Sequence, residues 1–151
     1  MFAIIDVYSR RIVGWSISNT MNTEWCRETL SDAIRTEGKP EIFNRAGGPD
    51  RSRQSIYKPG FIHPLLEKGI KISMDGKGKA LDNVFRGRPA IERFWRSLKQ
   101  EYVYLNPRNG GMDLYRGIKA YVEFYNRRRK HTGTGYIPNV LFLKPTPKHP
   151  N

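Results

Sequence analysis

The sequence predicts an α/β chain on three observations. Two short β-rich runs stand close together at the N-terminus, Phe2–Tyr8 and Ile12–Ser18, separated by Ser9, Arg10 and Arg11. Apolar stripes of helical period then alternate with brief apolar runs through the middle of the chain. Two longer amphipathic stretches follow, Ala90–Leu105 and Asp113–Arg129. Strand, strand, helix, strand is the order of a layered α/β architecture.

Each element has its own local signal. In Ile12–Ser18, Val13, Trp15 and Ile17 alternate to one side, and the connection from the first run is short enough for an antiparallel hairpin. Asn22 or Thr23 caps the next helix, whose buried side carries Cys26, Leu30 and Ile34, and Gly38 to Pro40 ends it. Glu41–Asn44 reads as a brief strand, and Arg45–Pro59 as a Gly- and Pro-punctuated loop carrying Asp50. Phe61–Lys68 resumes helical spacing, Gly69 stops it, and Ile70–Ser73 supplies another strand. Met74–Asn83 is a glycine-rich basic loop of the kind that closes on a ligand, and Arg86–Pro89 is an insert ahead of the next helix. The last helix, Asp113–Arg129, buries Leu114, Ile118, Tyr121, Val122 and Tyr125, and runs into the basic cluster Arg127 to His131. The terminal PTPKHPN lacks the apolar content to fold.

With 151 residues the chain has room for one domain and a sizeable core. Lys and Arg number 27 against 14 Asp and Glu, a net charge of +13. The surplus is spread from Arg10 to Lys148, so the folded surface itself attracts a polyanion, and nucleic acid is the expected partner. The apolar runs are too short to span a bilayer, so no membrane role is expected. The lone Cys26 has no partner for an internal disulfide and falls on an apolar helical position, which reads as a core thiol. Met1 leads directly into a strand-like run with no basic leader, and the expected place is intracellular: bacterial cytoplasm, beside the nucleoid.

The stretch Ala90–Leu105 carries the candidate chemistry. Ile91, Phe94, Trp95, Leu98 and Tyr102 recur on one helical face, while Glu92, Arg96 and Lys99 stand at i, i+4 and i+7 on a stripe beside it. A carboxylate able to hold a metal, with cations one and two turns on that clamp phosphate, is what a phosphodiester-cutting site needs. The same Glu-to-Arg spacing is also that of an ordinary surface salt bridge. His63, His131 and His149 are scattered and make no zinc spacing, and GKGK at Gly76–Lys79 is followed by no Walker-type residue, so it suits contact with a DNA backbone through Lys77 and Lys79. The Arg127–His131 run reads equally as a solvated helix end or as a nucleic-acid surface, with Tyr125 and Tyr136 flanking it.

Four segments in register resemble one family. IIDVYSRRIVGW (Ile4–Trp15), ISMDGKGKALDN (Ile72–Asn83), ERFWRSLKQEYVYL (Glu92–Leu105) and FYNRRRKHTGTGYIP (Phe124–Pro138) occur in the order found in insertion-sequence transposases with a retroviral-integrase-like catalytic core. The resemblance implies an RNase H-like fold, a mixed sheet flanked by helices, with a catalytic Asp-Asp-Glu set holding two divalent cations (Mg²⁺ or Mn²⁺), cleavage at a transposon end, and attack of the freed 3′ hydroxyl on target DNA. It implies that Glu92 is the final glutamate, that Lys99 is the DNA-contacting lysine, and that Asp50 is the second aspartate. RAGGP and RGRPA lengthen the approaches to Asp50 and Glu92. The family's first aspartate belongs to a strand preceding the one that holds Asp6. The chain therefore resembles the C-terminal part of a transposase, with the first strand missing, and Asp6 is expected to be a structural strand aspartate.

These readings combine into one expectation and its rivals. Residues 1–138 form a catalytic core and 139–151 a Pro-rich tail. Asp50 and Glu92 are the metal ligands and catalytic residues; Arg96 and Lys99 clamp phosphate; Lys77, Lys79, Arg127, Arg128, Arg129 and Lys130 contact DNA. Two cations about 4 Å apart repel strongly, so a pair of carboxylates is expected to bind metal weakly and to support little strand transfer. The alternative is a non-catalytic DNA-binding remnant that pairs with itself or with a full-length transposase; a poorly folding product of a degenerate reading frame is a third reading. For Asp75 and Asp82 the expectation is loop carboxylates without a metal role.

Overall fold

The computed structural model describes residues 1–20, 22–44, 59–73, 88–107 and 109–144. Residues 45–58 of the expected Arg45–Pro59 loop and the whole Met74–Asn83 loop, with Asp50, Asp75, Asp82, Lys77 and Lys79, and the PTPKHPN tail fall outside these residues, while Pro59 belongs to a helix.

Strands β1 (Phe2–Ile5) and β2 (Ile12–Ser16) are hydrogen-bonded neighbours, and a link this short requires them to run antiparallel. Strand β1 is shorter than its apolar run because a side chain competes for the backbone that follows it, whereas β2 ends at Ser16, two residues before its run does. The Asp6 carboxylate accepts from the Ser9 amide at 2.8 Å and the Ser9 hydroxyl at 2.6 Å, and Arg10 turns left-handed at φ +68°. Asp6 is thus the turn-forming residue of the hairpin, in line with its expected structural role.

By contact the chain divides into two units, Met1–Ile4 with Val13–Glu92, and Ile5–Ile12 with Arg93–Asn151. In the first, helix α1 (Thr23–Glu37) begins where Asn22 accepts from the Trp25 amide and ends at Gly38, φ +95°. Strand β3 (Ile42–Asn44) and strand β4 (Lys71–Ser73) pair in parallel, with Phe43 opposite Ile72, and helix α2 (Pro59–Glu67) lies between them in sequence. A parallel pair requires such a crossover. Gly69 at φ +66° closes α2, its amide donating to Leu66 and that of Ile70 to Leu65. Cys26 and Leu30 of α1 meet Phe61 and Leu65 of α2 and Ile70, with Phe2, Ile4, Trp25, Phe43 and Ile72 packed around them. Phe61 alone, 1% exposed, contributes about 2–3 kcal/mol by burial.

Gly14 makes the approach of β2 to α1 possible. A β-carbon there would sit 2.9 Å from the Ala33 β-carbon and 3.5 Å from the Thr29 carbonyl, neither of which can swing aside. Gly14→Ala is expected to destabilise the chain by about 2 kcal/mol through overpacking, read as the midpoint of urea unfolding; an unchanged midpoint would mean that the strand has room to retreat.

Helix α3 (Arg88–Leu98) has its residues up to Glu92 in the first unit and the rest in the second, where it continues into a π-helical turn (Lys99–Val103). The sequence reading ran one regular helix from Ala90 to Leu105. Arg88 and Pro89, read as an insert ahead of the helix, instead form its first turn, where proline is tolerated. Helix α4 (Gly111–Arg127) follows, and it stops before Arg129 because the amides of Arg128 and Arg129 both turn onto the Phe124 carbonyl. Phe94 packs edge-on to Tyr125 at 5.0 Å, and Ile118, Tyr121 and Val122 extend the buried face. A short helix α5 (Pro138–Phe142) takes in the first residues of the stretch 139–151 expected to be a Pro-rich tail; it buries Pro138 and Leu141, and the Arg11 guanidinium lies 4.4 Å from the Phe142 ring centre. Asn126 of α4 clamps the Ile12 backbone, accepting from its amide and donating to its carbonyl, each at 2.9 Å. Among the described residues no helix is long and apolar enough to cross a membrane.

Candidate nucleic-acid cleavage site

Helix α3 is strongly two-faced. Ala90, Ile91, Phe94 and Leu98 are buried, and Glu92, Arg96 and Lys99 are exposed, so the carboxylate and the two cations share the solvent side. At 1.5 Å per residue Arg96 lies roughly 6 Å and Lys99 roughly 10 Å along the axis from Glu92. That spacing suits successive oxygens and phosphates of one DNA strand. Lys99 is the first residue of the π-helical turn, so the stripe ends where the helix widens. Among the described residues no three Asp, Glu, His or Cys side chains gather as a metal site. Glu92 is the one member of the expected ligand pair within them, Asp50 lying outside.

The basic run after α4 divides in two. Arg127 is exposed and 3.7 Å from Glu123 one turn back, and Arg128 and Lys130 are also exposed. Arg129 behaves differently. Its guanidinium is paired with Glu101, donates to the Tyr121 hydroxyl at 3.3 Å and lies 5.8 Å from the Tyr125 ring centre. The Tyr121 hydroxyl in turn donates to Glu101 at 2.8 Å.

The electrostatics of this cluster follow from its contacts. Hydrogen bonding by Arg129 holds the Glu101 carboxyl below the ordinary carboxylate range against the opposing effect of burial. Glu101 titrates higher when unfolded, so its contribution to stability is present above that range and is lost as pH falls through the depressed value. Burial, followed by the hydrogen bond to Glu101, pushes the Tyr121 hydroxyl up; burial pushes Tyr125 up to about 12. Burial and the cations Arg129 and Arg10 push His131 down.

Sequence reasoning passed over two of these residues, although both left a signal. Glu101 falls at i+7 from Phe94 and i+3 from Leu98, a charged group in line with a buried stripe. Asn126 stands four residues after Val122 in the same way. Buried Asn126 needs partners and has them in the Ile12 backbone, and the partly exposed Glu101 has Arg129 and Tyr121.

Residues 68–138 match the integrase core domain family. The transposase of insertion sequence element IS904 from Lactococcus lactis is 30% identical over 134 residues, covering 87% of this chain and 49% of that protein. Transposase InsF for insertion sequence IS3fB from Escherichia coli is 28% identical over 140 residues, covering 92% of this chain and 46% of its own length. The chain spans about half the length of the curated relatives it matches. Among solved structures, the HTLV-2 integrase catalytic core domain, in complex with magnesium in a trimeric form, superposes with a TM-score of 0.64 at 17% identity, covering 91% of this chain and 80% of that one. A chain of the simian T-cell lymphotropic virus intasome in complex with PP2A regulatory subunit B56 gamma gives 0.64 at 15%, covering 99% and 54%. The fold is the mixed α/β, RNase H-like fold of integrase catalytic cores, as the sequence predicted.

Proposed function

We propose that this chain, a relative of the insertion-sequence transposases that carry an integrase core domain, is the part of a transposase that cuts and joins DNA in a metal-dependent reaction. The observation that carries the reading is the exposed stripe of Glu92, Arg96 and Lys99 on α3, inside the segment that matches the integrase core. Glu92 offers hard oxygen donors of the kind that Mg²⁺ or Mn²⁺ takes, and Asp50 is the proposed second ligand. A bound divalent cation supplies Lewis-acid polarisation of a phosphoryl oxygen and an activated water or 3′ hydroxyl. The residues of this chain do the rest. Arg96 and Lys99 hold the phosphates flanking the scissile bond, so that the attacking oxygen meets phosphorus in line. Lys77, Lys79, Arg127, Arg128 and Lys130 contact the DNA backbone, while Arg129 holds the turn from which its neighbours project. The substrates are transposon ends and target DNA, and the working form is a homo-multimer or an assembly with a longer transposase, in the cytoplasm.

An oligonucleotide carrying the element's end tests the reading. Nicking that requires Mn²⁺ and stops with EDTA is expected, together with binding that weakens steeply with salt as counterions are released. Arg128→Ala is expected to reduce the slope of log K against log salt by about 1. Salt-dependent binding without nicking under any metal condition would favour the non-catalytic DNA-binding alternative, and absent or salt-insensitive binding would remove both.

A further inference from the structure

Three contacts fix how far α3 can rotate about its own axis, and two of them lie beyond the stripe, in the π-helical turn. Phe94 is edge-on to Tyr125 at 5.0 Å. Glu101 receives both the Arg129 guanidinium and the Tyr121 hydroxyl, donors from α4 and from just past its end. Tyr102 lays its ring where a β-carbon on Gly117 would be, 1.4 Å from the tyrosine hydroxyl, so α4 has a notch at that point which glycine alone leaves open. A π-helical turn gives up regular i→i−4 bonding and is kept where side-chain contacts hold it. Here they do: the wider turn delivers Glu101 to its two donors while Tyr102 enters the notch.

We infer that Glu101 is a positioning residue, holding the azimuth of α3 and with it the carboxylate of Glu92 and the cations Arg96 and Lys99; the inference rests on the function proposed above. The geometry makes the demand severe. A side-chain tip about 6 Å from the helix axis moves about 0.5 Å for a rotation of roughly 5°, and a working constellation tolerates no more than that. The ion pair is only partly buried, its side chains 39% and 28% exposed, and such pairs contribute little to stability. A merely stabilising role therefore predicts a small effect everywhere, whereas a positioning role predicts a loss of turnover out of proportion to any loss of folding.

The test compares Glu101→Gln, which keeps an acceptor for Tyr121 and removes the charge, with Glu101→Asp, which keeps the charge. With Mn²⁺ and saturating end DNA, Glu101→Gln is expected to slow single-turnover cleavage by about 10- to 100-fold, as sub-ångström misplacement does. DNA affinity should stay within about twofold and the melting profile should remain cooperative, and Glu101→Asp should recover most of the rate. Amide exchange over 92–103 should quicken about tenfold in Glu101→Gln while 111–127 keeps its protection. Unchanged exchange over 92–103, or a rate that falls only with the folded fraction, overturns the inference. A wild-type chain that does not cut DNA condemns the function proposed above alone, since the exchange measurement still decides whether Glu101 holds the helix.

Discussion

Glu92→Gln is expected to abolish metal-dependent strand cleavage while leaving the fold and the affinity for DNA in place. The side chain lies on the exposed face of α3, and the residues that anchor the helix, Ala90, Ile91, Phe94 and Leu98, lie on the other. An exposed substitution of equal shape shifts stability by about 0.5 kcal/mol or less. The carboxylate charge is what a divalent cation needs from this position, and losing several kcal/mol of charge stabilisation in the transition state slows the reaction by about 10³-fold. Single-turnover cleavage in Mn²⁺, with a melting curve on the same preparation, separates the two effects. Undiminished cleavage would take Glu92 out of the site and with it the assignment of Arg96 and Lys99 as its phosphate clamps.

Asn126→Ala is expected to destabilise the chain by about 3 kcal/mol, or roughly 10 °C in melting temperature for a chain of this size. The amide of Asn126 satisfies both the N–H and the carbonyl of Ile12, and Ile12 is 4% exposed and Asn126 9%. Removing the side chain strands a buried donor and a buried acceptor together, and each costs 1–3 kcal/mol or thereabouts because water cannot replace the lost partner. Aspartate rescues nothing, since it keeps the acceptor but loses the donor and adds a buried charge. Urea denaturation is the direct measurement; a change below about 0.5 kcal/mol would show that the Ile12 backbone finds other partners.

Local chemistry made most of the fold legible. Asn22 before α1, Gly38 after it and Gly69 after α2 mark helix ends by the physics of capping and of left-handed glycine, and each acts as such. The apolar stripes of α1 and α4 likewise point inward. What escaped was decided by contacts distant in sequence or by competition between side chain and backbone. Strand β1 stops at Ile5 because the Asp6 carboxylate captures Ser9, which alternation of apolar residues does not report. The helix after Ala90 widens at Lys99 because of Glu101 and Tyr102, whose partners lie further on in the chain, in α4 and just past its end.

The candidate site was legible in part for the same reason. Glu92, Arg96 and Lys99 lie on one helix, so spacing alone puts them on one stripe. The basic run after α4 looked uniform because charge composition carries no direction, yet Arg129 turns onto Glu101 while Arg128 and Lys130 stay exposed.

Cys26 gives the chain a built-in reporter. The thiol has no solvent-accessible surface, and burial raises its pKa, so the nucleophilic thiolate is scarce as well as sheltered. An alkylating reagent reaches sulfur only through molecules in which α1 has come away from α2. The rate of its capture times the opening of the Met1–Ile4 and Val13–Glu92 unit alone, so damage done by a substitution at residue 126 can be assigned to one half of the chain or to both.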